Sequence, residues 1–431
     1  MTSTAWFTHD RFGMFIHWGL YSNPAGVWKG QKMKHPYSEW LQASEHIPRE
    51  EYRALAASFN PSDFCADEWI RTVRDAGMKY FIITAKHHDG FALWPTKAST
   101  FNVFDETPFK RDILGELADA CKKYDIKLGF YYSHWQDWEG TGGDICEVHM
   151  ANEEYTHPSQ DEFEHYWQNK CLVQIRELIE NYDPDILWFD SWHDYKKLGC
   201  DYTAKYVPAA RQEELISLIR SLSDKCLVNS RINYCNPSDN VDYLSMMDNH
   251  FPEEAFDKPW ETSGTLNESW AYHSEDYSWK STQQLIQHLT SNASFGGNYQ
   301  LNVGPMGNGR FQPAATKRLR EIGTWFDANS ESIYGTEASP LGKMAWGRIT
   351  AKDLSQSTTT LYLHLNPLQP EAALFIEGVT AQSANAKVLE TGQPVKTVLS
   401  EEGICVRLPA EINGCTSPVI ELQLTQMTLP K

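Results

Sequence analysis

Short apolar runs and longer amphipathic segments alternate along roughly the first 330 residues of the chain. An apolar run bounded by turn residues predicts a buried strand, and apolar residues three to four positions apart predict a helix. The predicted strands lie at 13–19, 80–85, 127–135, 186–190, 227–231, 243–248, 260–262 and 299–305. One predicted helix opens at 48–52, and the others lie at 62–77, 111–124, 161–181, 210–224, 281–292 and 313–328. About eight strand–helix alternations predict an α/β fold, a (β/α)8-like TIM barrel.

The pattern changes beyond about residue 340, where short strands follow one another with turn residues between them. These strands are predicted at 359–365, 373–376, 386–389, 404–408 and 419–424. Strands at this spacing are typical of a small β-sandwich. We therefore expect a catalytic barrel over residues 1–335 and a C-terminal all-β sandwich domain over residues 336–431.

The predicted strand at 186–190 ends in Asp190, a carboxylate that follows an apolar run. A charge at the end of a buried strand is costly unless that end opens into a site, although Asp190 could also cap the next helix. Other polar side chains recur where predicted strands end: His17, His87, His88, Asp89, Tyr131 or Tyr132, Arg231 and Asp248. Because the carboxyl ends of barrel strands converge on one pocket, we expect an active site there.

The chain is acidic, with 38 Lys and Arg against 57 Asp and Glu and a net charge of −19. Because phosphate neutralisation requires clustered basic residues, we expect no nucleic-acid and no membrane partner. The 16 Trp favour a carbohydrate ligand weakly, since an indole face packs against the C–H face of a sugar. The N-terminus lacks the basic and apolar regions of a signal peptide, which predicts a cytoplasmic protein. Tryptophans on predicted loops are consistent with a homo-oligomer.

Metal ions and cofactors are not indicated by the sequence. The nine Cys form no CxxC pair, so neither a structural zinc nor a disulfide framework is expected. HxH and HExxH patterns are absent, and the adjacent His87 and His88 are expected to point to opposite faces of an extended chain. No GxGxxG, P-loop or GxSxG motif follows a strand. Two carboxylates on neighbouring strand ends are, by contrast, the minimal apparatus for cleaving a glycosidic bond.

Six motifs together resemble the α-L-fucosidases of glycoside hydrolase family 29. They are Phe-Gly-Met-Phe-Ile-His-Trp-Gly-Leu-Tyr-Ser at 12–22, Ala-Lys-His-His-Asp-Gly-Phe at 85–91, Tyr-Tyr-Ser at 131–133, Trp-Phe-Asp at 188–190, Asn-Ser-Arg at 229–231 and Leu-Asn-Val-Gly-Pro at 301–305. The resemblance spans about residues 5–330 and is closest to bacterial members of the broader-specificity branch. It implies a (β/α)8-like catalytic barrel, retention of configuration and no metal.

The resemblance also implies roles for individual residues. Asp190 matches the family nucleophile, and Asp248 lies closest to the position of the acid/base, with Glu261 as the alternative and Glu253 and Glu254 as outside candidates. The positions that match fucose-binding residues are His17, Trp40, His87, His88, Tyr131 and Arg231. We expect Glu261 to line the same pocket, and strand alternation to place Tyr131 rather than Tyr132 in it.

These inferences predict a retaining exo-α-L-fucosidase acting on fucosylated oligosaccharides or glycoconjugates without a cofactor. Asp190 is expected to form a covalent fucosyl-enzyme, and Asp248 is expected to act first as acid and then as base. Two alternatives stay open at this point. One is another retaining hexosidase on the same barrel, for example an α-galactosidase, and the other is a degenerate sugar-binding protein without catalytic activity.

Overall fold

The computed structural model describes residues 3–145, 157–192, 198–354, 356–366, 373–409, 412 and 416–429, with the backbone alone at 198–201. Eight parallel strands make up its larger sheet. They are β1 (Phe12–Ile16), β2 (Tyr80–Lys86), β3 (Lys127–Tyr132), β4 (Ile186–Phe189), β5 (Leu227–Val228), β6 (Leu244–Ser245), β7 (Trp260–Thr265) and β8 (Asn298–Val303). A short hairpin, Val27–Trp28 with Gln31–Lys32, lies in the loop after β1.

The eight strands form a closed ring. In chain order β1 pairs with β2, β2 with β3, β3 with β4 and β4 with β5, while β8 joins β1 to β7 and β7 pairs with β6. The ring closes between β5 and β6 through an isolated parallel bridge from Asn229 to Tyr243. The Ser230 N–H bonds the Tyr243 carbonyl at 2.9 Å there, and the Asp242 N–H bonds the Val228 carbonyl at 2.9 Å. The predicted barrel is confirmed.

Helices surround most of the ring. They are α1 (Ala5–Asp10), α2 (Leu41–Ser44), α3 (Arg49–Arg53), α4 (Ala66–Asp75), α5 (Ile113–Tyr124), α6 (Gln160–Tyr166), α7 (Leu172–Tyr182), α8 (Leu198–Tyr206), α9 (Ala209–Leu222), α10 (Thr282–Ser294) and α11 (Pro313–Asn329). A π-helical turn, Trp167–Cys171, joins α6 to α7. The helix predicted from residue 62 begins only at Ala66, because the Phe64 N–H bonds the Pro61 carbonyl at 3.0 Å in a turn.

The regular strand–helix alternation fails on one side of the barrel. Residues 229–259, all of which the structure describes, connect β5 to β6 and β6 to β7 without an α-helix. Turn-forming residues such as Pro237 and the neighbouring Asn and Asp explain this, since they favour turns over helix. The loops on this side carry Arg231 and Asp248.

Two apolar layers hold the barrel together. The inner layer fills its interior with buried side chains, among them Phe15, Tyr80, Tyr131, Ile186 and Trp188. The outer layer lies between the strands and the surrounding helices. Alternation along each strand separates the two layers, as in other closed barrels. The inner layer therefore closes the barrel from below, and any cavity at the carboxyl ends of the strands has these side chains as its floor.

The C-terminal part of the chain is all-β, as predicted. Its seven antiparallel strands are β9 (Gly347–Lys352), β10 (Thr358–Leu365), β11 (Ala373–Glu377), β12 (Ser383–Val388), β13 (Pro394–Leu399), β14 (Gly403–Arg407) and β15 (Val419–Thr425), in the order β9-β10-β15-β12-β13-β14-β11. They enclose an apolar core separate from that of the barrel. The indole N–H of Trp325 in α11 bonds the Ser417 carbonyl at 2.9 Å and connects the two parts.

Two further features concern the chain as a whole. Within the described ranges, no helix has the length and apolar character needed to span a bilayer. Among the described residues, the free thiols are Cys65, Cys121, Cys171, Cys226 and Cys405. Cys235 is disulfide-bonded, although no disulfide framework was expected from the sequence.

Candidate active site

A cavity of about 320 Å³ opens at the carboxyl ends of the barrel strands. Its lining is aromatic and ionisable: Phe15, His17, His35, Tyr37, Glu39, Trp40, His87, His88, Tyr131, Trp188, Asp190, Trp192, Arg231, Tyr234, Met247, Asp248 and Trp270. Eight of the nine residues predicted for the site are among them. A cavity with aromatic walls and a few converging polar groups is the usual form of a small-molecule site.

Asp190 directly follows β4 and accepts two hydrogen bonds through its carboxylate. The Tyr131 hydroxyl donates to Oδ2 at 2.8 Å, and Nη1 of Arg231 donates to Oδ1 at 3.0 Å. The indole N–H of Trp135 donates to the Asp190 carbonyl at 2.7 Å and fixes the backbone. Burial raises the pKa of Asp190; the Arg231 guanidinium opposes this rise, and the nearby Asp248 adds to it. The carboxylate is thus held in one orientation with its pKa raised.

Arg231 connects Asp190 to a second carboxylate. Its Nη2 donates to Oδ1 of Asp248 at 2.5 Å and to the Met246 carbonyl at 2.6 Å. The two carboxyl groups therefore lie side by side on one guanidinium. Asp190 is 15% exposed, whereas Asp248 is 41% exposed and stands nearer the mouth of the cavity. A bidentate guanidinium fixes its partners in direction as well as distance.

His17, which follows β1, is a neutral hydrogen-bond acceptor in the cavity. The Asn302 amide donates its Nδ2 to the Trp270 carbonyl at 2.6 Å, which leaves Oδ1 to accept from Nδ1 of His17 at 2.7 Å. The His17 proton therefore lies on Nδ1, and Nε2 keeps its lone pair. Burial lowers the pKa of His17 to about 4, so the ring is neutral near pH 7.

His88 has the same arrangement and lies next to Asp190. The Ser133 hydroxyl donates to the Gln136 carbonyl at 2.8 Å and must accept from Nδ1 of His88 at 2.6 Å. Nε2 of His88 then carries a lone pair 3.8 Å from Oδ2 of Asp190, too far for a hydrogen bond. Burial lowers the pKa of His88 well below its ordinary value. A hydroxyl donor placed between them would find an acceptor on each side.

The expectation that His87 and His88 point to opposite faces is wrong. Both line the cavity, with ring centroids 4.2 Å apart. The extended conformation ends at Lys86, where the pairing of β2 with β3 shifts register, and a turn follows with the Gly90 N–H on the His87 carbonyl at 3.1 Å. The alternation of an extended chain therefore no longer applies at these two residues. His87 stacks on Tyr131 at 5.2 Å and 11°.

Trp40 lies in an aromatic wall whose rings come from the connections after the first four barrel strands. Its ring packs edge-on against Trp138 at 5.4 Å, against Trp192 at 5.8 Å and against His88 at 5.1 Å. Its position in the cavity agrees with the predicted one. Indole faces of this kind suit the C–H face of a sugar ring.

Tyr131 and Tyr132 separate as strand alternation requires. Tyr131 lines the cavity, whereas the Tyr132 hydroxyl donates to Oε1 of Gln174 at 2.7 Å on the helix side of β3. The structure thus places the tyrosine favoured from the sequence beside Asp190.

Glu261 does not line the cavity, contrary to the prediction. It is fully buried inside the barrel, where Oε1 accepts the Trp188 indole N–H at 2.7 Å and Oε2 accepts from the Gln300 amide. The reason is that Glu261 is the second of the six residues of β7 and lies near the amino end of the strand, whereas the cavity opens at the carboxyl ends. The other outside candidates are also remote: Glu253 bonds Arg348 at 2.8 Å, and Glu254 is exposed.

Glu39 is a cavity residue that the sequence analysis did not identify. It is buried beside Trp40, and its Oε2 accepts the Ala271 N–H at 3.0 Å. Burial raises the pKa of Glu39 to about 8, so its carboxyl group is largely protonated near pH 7 and can donate a hydrogen bond. The available signal was its place directly before Trp40, a predicted site residue. The other unpredicted lining residues are Phe15, His35, Tyr37, Trp188, Trp192, Tyr234, Met247 and Trp270.

The cavity combines two side-by-side carboxylates, neutral histidine acceptors and an aromatic wall. In the described part of the chain, no cluster of three or more His, Cys, Asp and Glu has the arrangement of a metal site. Paired carboxyl groups can divide the labour of nucleophile and acid/base, and aromatic and hydroxyl-binding groups can hold a sugar between them. The fold and the site define a glycoside hydrolase built on a (β/α)8 barrel.

The chain belongs to the α-L-fucosidase family, whose profile matches residues 1–331. It is 28% identical to human plasma alpha-L-fucosidase over an alignment of 439 positions, gaps included. The alignment covers 94% of this chain and 85% of the human one. The structure of the α-L-fucosidase from Vibrio sp. strain EJY3 is similar with a TM-score of 0.86 and 33% identity, covering 98% of this chain and 72% of the Vibrio chain.

A second solved structure bears on the chemistry. It is a GH29 α-L-fucosidase from Bacteroides thetaiotaomicron, trapped as a covalent intermediate with 2-fluoro-fucosyl fluoride. Its TM-score to this chain is 0.79 at 28% identity, and the match covers 98% of this chain and 95% of the Bacteroides chain. The trapped intermediate is a property of that enzyme, and it is the intermediate that a retaining mechanism requires.

Proposed function

We propose that this α-L-fucosidase releases terminal α-L-fucosyl residues by double displacement, with Asp190 as nucleophile and Asp248 as acid/base. The observation that carries the proposal is the shared Arg231, which donates to Asp190 at 3.0 Å and to Asp248 at 2.5 Å. One guanidinium thereby holds the two carboxyl groups as close neighbours. Retaining glycosidases need such closeness, at about 5–5.5 Å between carboxyl groups, and inverting enzymes need a wider gap.

In the first step an Asp190 oxygen attacks the anomeric carbon of the fucosyl residue. The bond from that carbon to the glycosidic oxygen breaks, and protonated Asp248 gives its proton to the departing oxygen. The products are a free alcohol and an ester between the sugar and Asp190. The hydrogen bonds from Tyr131 and Arg231 orient the carboxylate for attack.

In the second step Asp248, now ionised, takes a proton from water. The water oxygen attacks the anomeric carbon and breaks the ester, which frees Asp190 and releases L-fucose. Two inversions restore the original configuration. Its greater exposure suits Asp248 for this role, because the acid/base must meet both the departing group and the incoming water.

The sugar hydroxyls have partners of both kinds. His17 and His88 each offer a neutral Nε2 acceptor, and protonated Glu39 offers a donor. Trp40 supplies an apolar face, and the remaining predicted sugar-binding residues, His87, Tyr131 and Arg231, line the same cavity. We propose these residues as the fucose site, acting on fucosylated oligosaccharides or glycoconjugates whose remaining part extends past Asp248.

The proposal is tested by following the first sugar released. Proton NMR of an aryl α-L-fucoside during hydrolysis should show α-L-fucose before mutarotation, and β-L-fucose appearing first would overturn the double displacement. Aryl α-D-galactoside in parallel measures the rival hexosidase, which should turn over far more slowly. Linkage-defined fucosyl disaccharides then give the preferred bond.

Four further statements stay predictions of the sequence. We propose a domain boundary between residues 335 and 336, which agrees with the separate apolar cores. We also propose membership of the bacterial broader-specificity branch, a cytoplasmic location and a homo-oligomeric state.

A further inference from the structure

Trp188 forms the floor beneath the nucleophile. Its ring stacks on Tyr131 at 5.4 Å and 20°, and the Arg231 guanidinium lies 5.0 Å from its centroid. Phe15 packs against its edge at 5.0 Å. Tyr131 and Arg231 are the two side chains that donate to the Asp190 carboxylate. One indole ring therefore supports both of the nucleophile's hydrogen-bond donors.

The position of that ring is set from below by Glu261. The indole has one polar atom, Nε1, and it donates to Oε1 of Glu261 at 2.7 Å. The other oxygen, Oε2, accepts from the amide of Gln300, whose Oε1 accepts from Ser263 at 3.0 Å. All of these side chains are buried inside the barrel. Glu261 is thus held in place by Gln300 of β8, and it in turn holds Trp188 of β4.

We propose that Glu261 is a positioning residue for the nucleophile, acting through Trp188 on the two donors Tyr131 and Arg231. Glu261 lies outside the cavity and cannot reach the substrate. Without its acceptor, the Trp188 N–H would be left unpaired in an apolar interior, and the ring would shift to satisfy it. Such a shift moves Tyr131 and Arg231 away from Asp190. This inference rests on the proposed role of Asp190.

A buried carboxyl group is costly, yet an amide could accept the same bond. Burial raises the pKa of Glu261 to about 8, so the side chain is mostly neutral near pH 7 and glutamine is its nearest substitute. The Gln300 amide can turn over to match a glutamine at 261. The position of the nucleophile's donors therefore depends on the hydrogen bond from Trp188 to residue 261 and does not depend on a negative charge there.

The test compares Glu261→Leu with Glu261→Gln on an aryl α-L-fucoside across pH. Misplacement of a reacting group by about 1 Å costs on the order of a hundredfold in rate. We expect Glu261→Leu to lower kcat/KM by about tenfold to a hundredfold, mainly in kcat, and Glu261→Gln to stay within about threefold of the parent.

The pH profile separates positioning from a purely structural role. The charged and titratable groups that face Asp190 are Arg231, Tyr131, His88, Asp248 and Glu39. Of these, Arg231 and Tyr131 hold the pKa of Asp190 down, so their displacement raises it further. The acid limb of kcat/KM should therefore move to higher pH in Glu261→Leu and not in Glu261→Gln.

The control is Trp260→Phe, one residue earlier on the same strand. Trp260 is also buried and donates its indole N–H to the Phe295 carbonyl at 3.2 Å, but on the helix side of β7. It should lower Tm and leave the acid limb in place.

Three outcomes overturn the proposal. The first is a Glu261→Leu variant that changes only Tm, as the control does. The second is a Glu261→Gln variant that loses as much activity as Glu261→Leu on substrates with poor leaving groups, which would make Glu261 the acid/base. Should Glu261→Leu not fold, Trp188→Phe removes the same hydrogen bond, and an unmoved acid limb in that variant contradicts the proposal. Full activity of an Asp190→Gly variant would instead refute the role of Asp190 and leave these comparisons of Glu261 readable on their own.

Discussion

Two groups of carboxylates and cations lie at the carboxyl end of the barrel, and they differ in balance and in access. In the sealed cluster, Lys86 and Lys170 bond Asp137 at 2.7 and 2.8 Å, and Lys170 also bonds Glu139. The two lysines there face two carboxylates, Arg53 also pairs with Glu139 at 3.2 Å, and Lys86 and Asp137 are wholly buried.

In the open cluster, Arg231 is the one cation among the described residues that pairs with both Asp190 and Asp248, and both carboxylates reach the cavity. Burial opposes the charge of Asp137, but Lys170 and Lys86 hold its pKa below the ordinary value. For Asp190 the effect of burial is larger than that of Arg231, so its pKa is raised, and the nearby Asp248 raises it further. A sealed cluster with at least as many cations as carboxylates keeps Asp137 ionised and holds loops together. An open cluster with an excess of carboxylate can take up and release a proton, which a glycosidase needs.

The catalytic role of the open cluster is tested most directly by removing the proposed nucleophile. Asp190→Gly should lower kcat on an aryl α-L-fucoside by at least about a thousandfold, because Asp248 stands nearer the mouth of the cavity and Glu39 is largely protonated, so neither replaces the nucleophile. Azide should restore part of the turnover and give a fucosyl azide of inverted configuration. Activity near that of the parent, or no response to azide in a folded variant, would contradict the assignment.

Removing the second carboxylate of the open cluster should have an effect that depends on the leaving group. In Asp248→Asn, hydrolysis of a fucosyl disaccharide should slow by about a hundredfold to ten-thousandfold, the usual contribution of a general acid. An aryl fucoside with a nitro-substituted leaving group needs little protonation and should slow much less in its first step. Equal losses on both substrates would remove Asp248 from the acid role.

A substitution in the sealed cluster should lower the stability of the fold and leave the catalytic rate nearly unchanged. Asp137→Asn leaves two buried ammonium groups short of a partner, which costs about 3–5 kcal/mol of unfolding free energy. Thermal unfolding should show a clear fall in Tm, while kcat/KM of the folded enzyme changes only a few-fold. Lys317→Ala is the matched control, because its pair with Glu321 is exposed and worth at most about 1 kcal/mol. An unchanged Tm in Asp137→Asn would contradict this account.

The last prediction concerns Glu39 and the pH dependence of stability. Its pKa is raised from 4.5 to about 8, so between these pH values the folded state holds a proton that the unfolded state has lost. Stability therefore falls as pH rises across this window, by up to about 1.4 kcal/mol per pH unit for the group. Glu39→Gln should make the fall of Tm between pH 5 and 8 shallower. Parallel curves for parent and variant would count against a protonated Glu39.

The barrel and most of the site could be predicted because both follow from local patterns. Apolar runs ending in polar residues specify a strand and its carboxyl end, which was enough to bring Asp190, Arg231 and His17 together. The periodicity of residues cannot tell how high on a strand a side chain stands. Glu261 for this reason was expected in the cavity, although it lies below Trp188.

Other features depend on contacts between distant parts of the chain. The register shift after Thr84 turns both His87 and His88 toward the cavity, and it arises from the pairing of β2 with β3. The position of Glu39 depends on a backbone bond to Ala271, 232 residues away. Neither contact leaves a mark in the sequence around the residue it positions.

The closure of the barrel by a single bridge gives Arg231 a mechanical function. The ring is thinnest between β5 and β6, where the Asn229 to Tyr243 bridge replaces a paired ladder. Asp190 stands on one side of this joint and Asp248 on the other, so the span between them crosses the place with the fewest backbone bonds. Arg231 reaches across it to both Asp248 and the Met246 carbonyl. The Arg231 guanidinium thus links the two sides of this joint. The distance between the two carboxyl groups therefore depends more on the hydrogen bonds of Arg231 than on backbone pairing between β5 and β6.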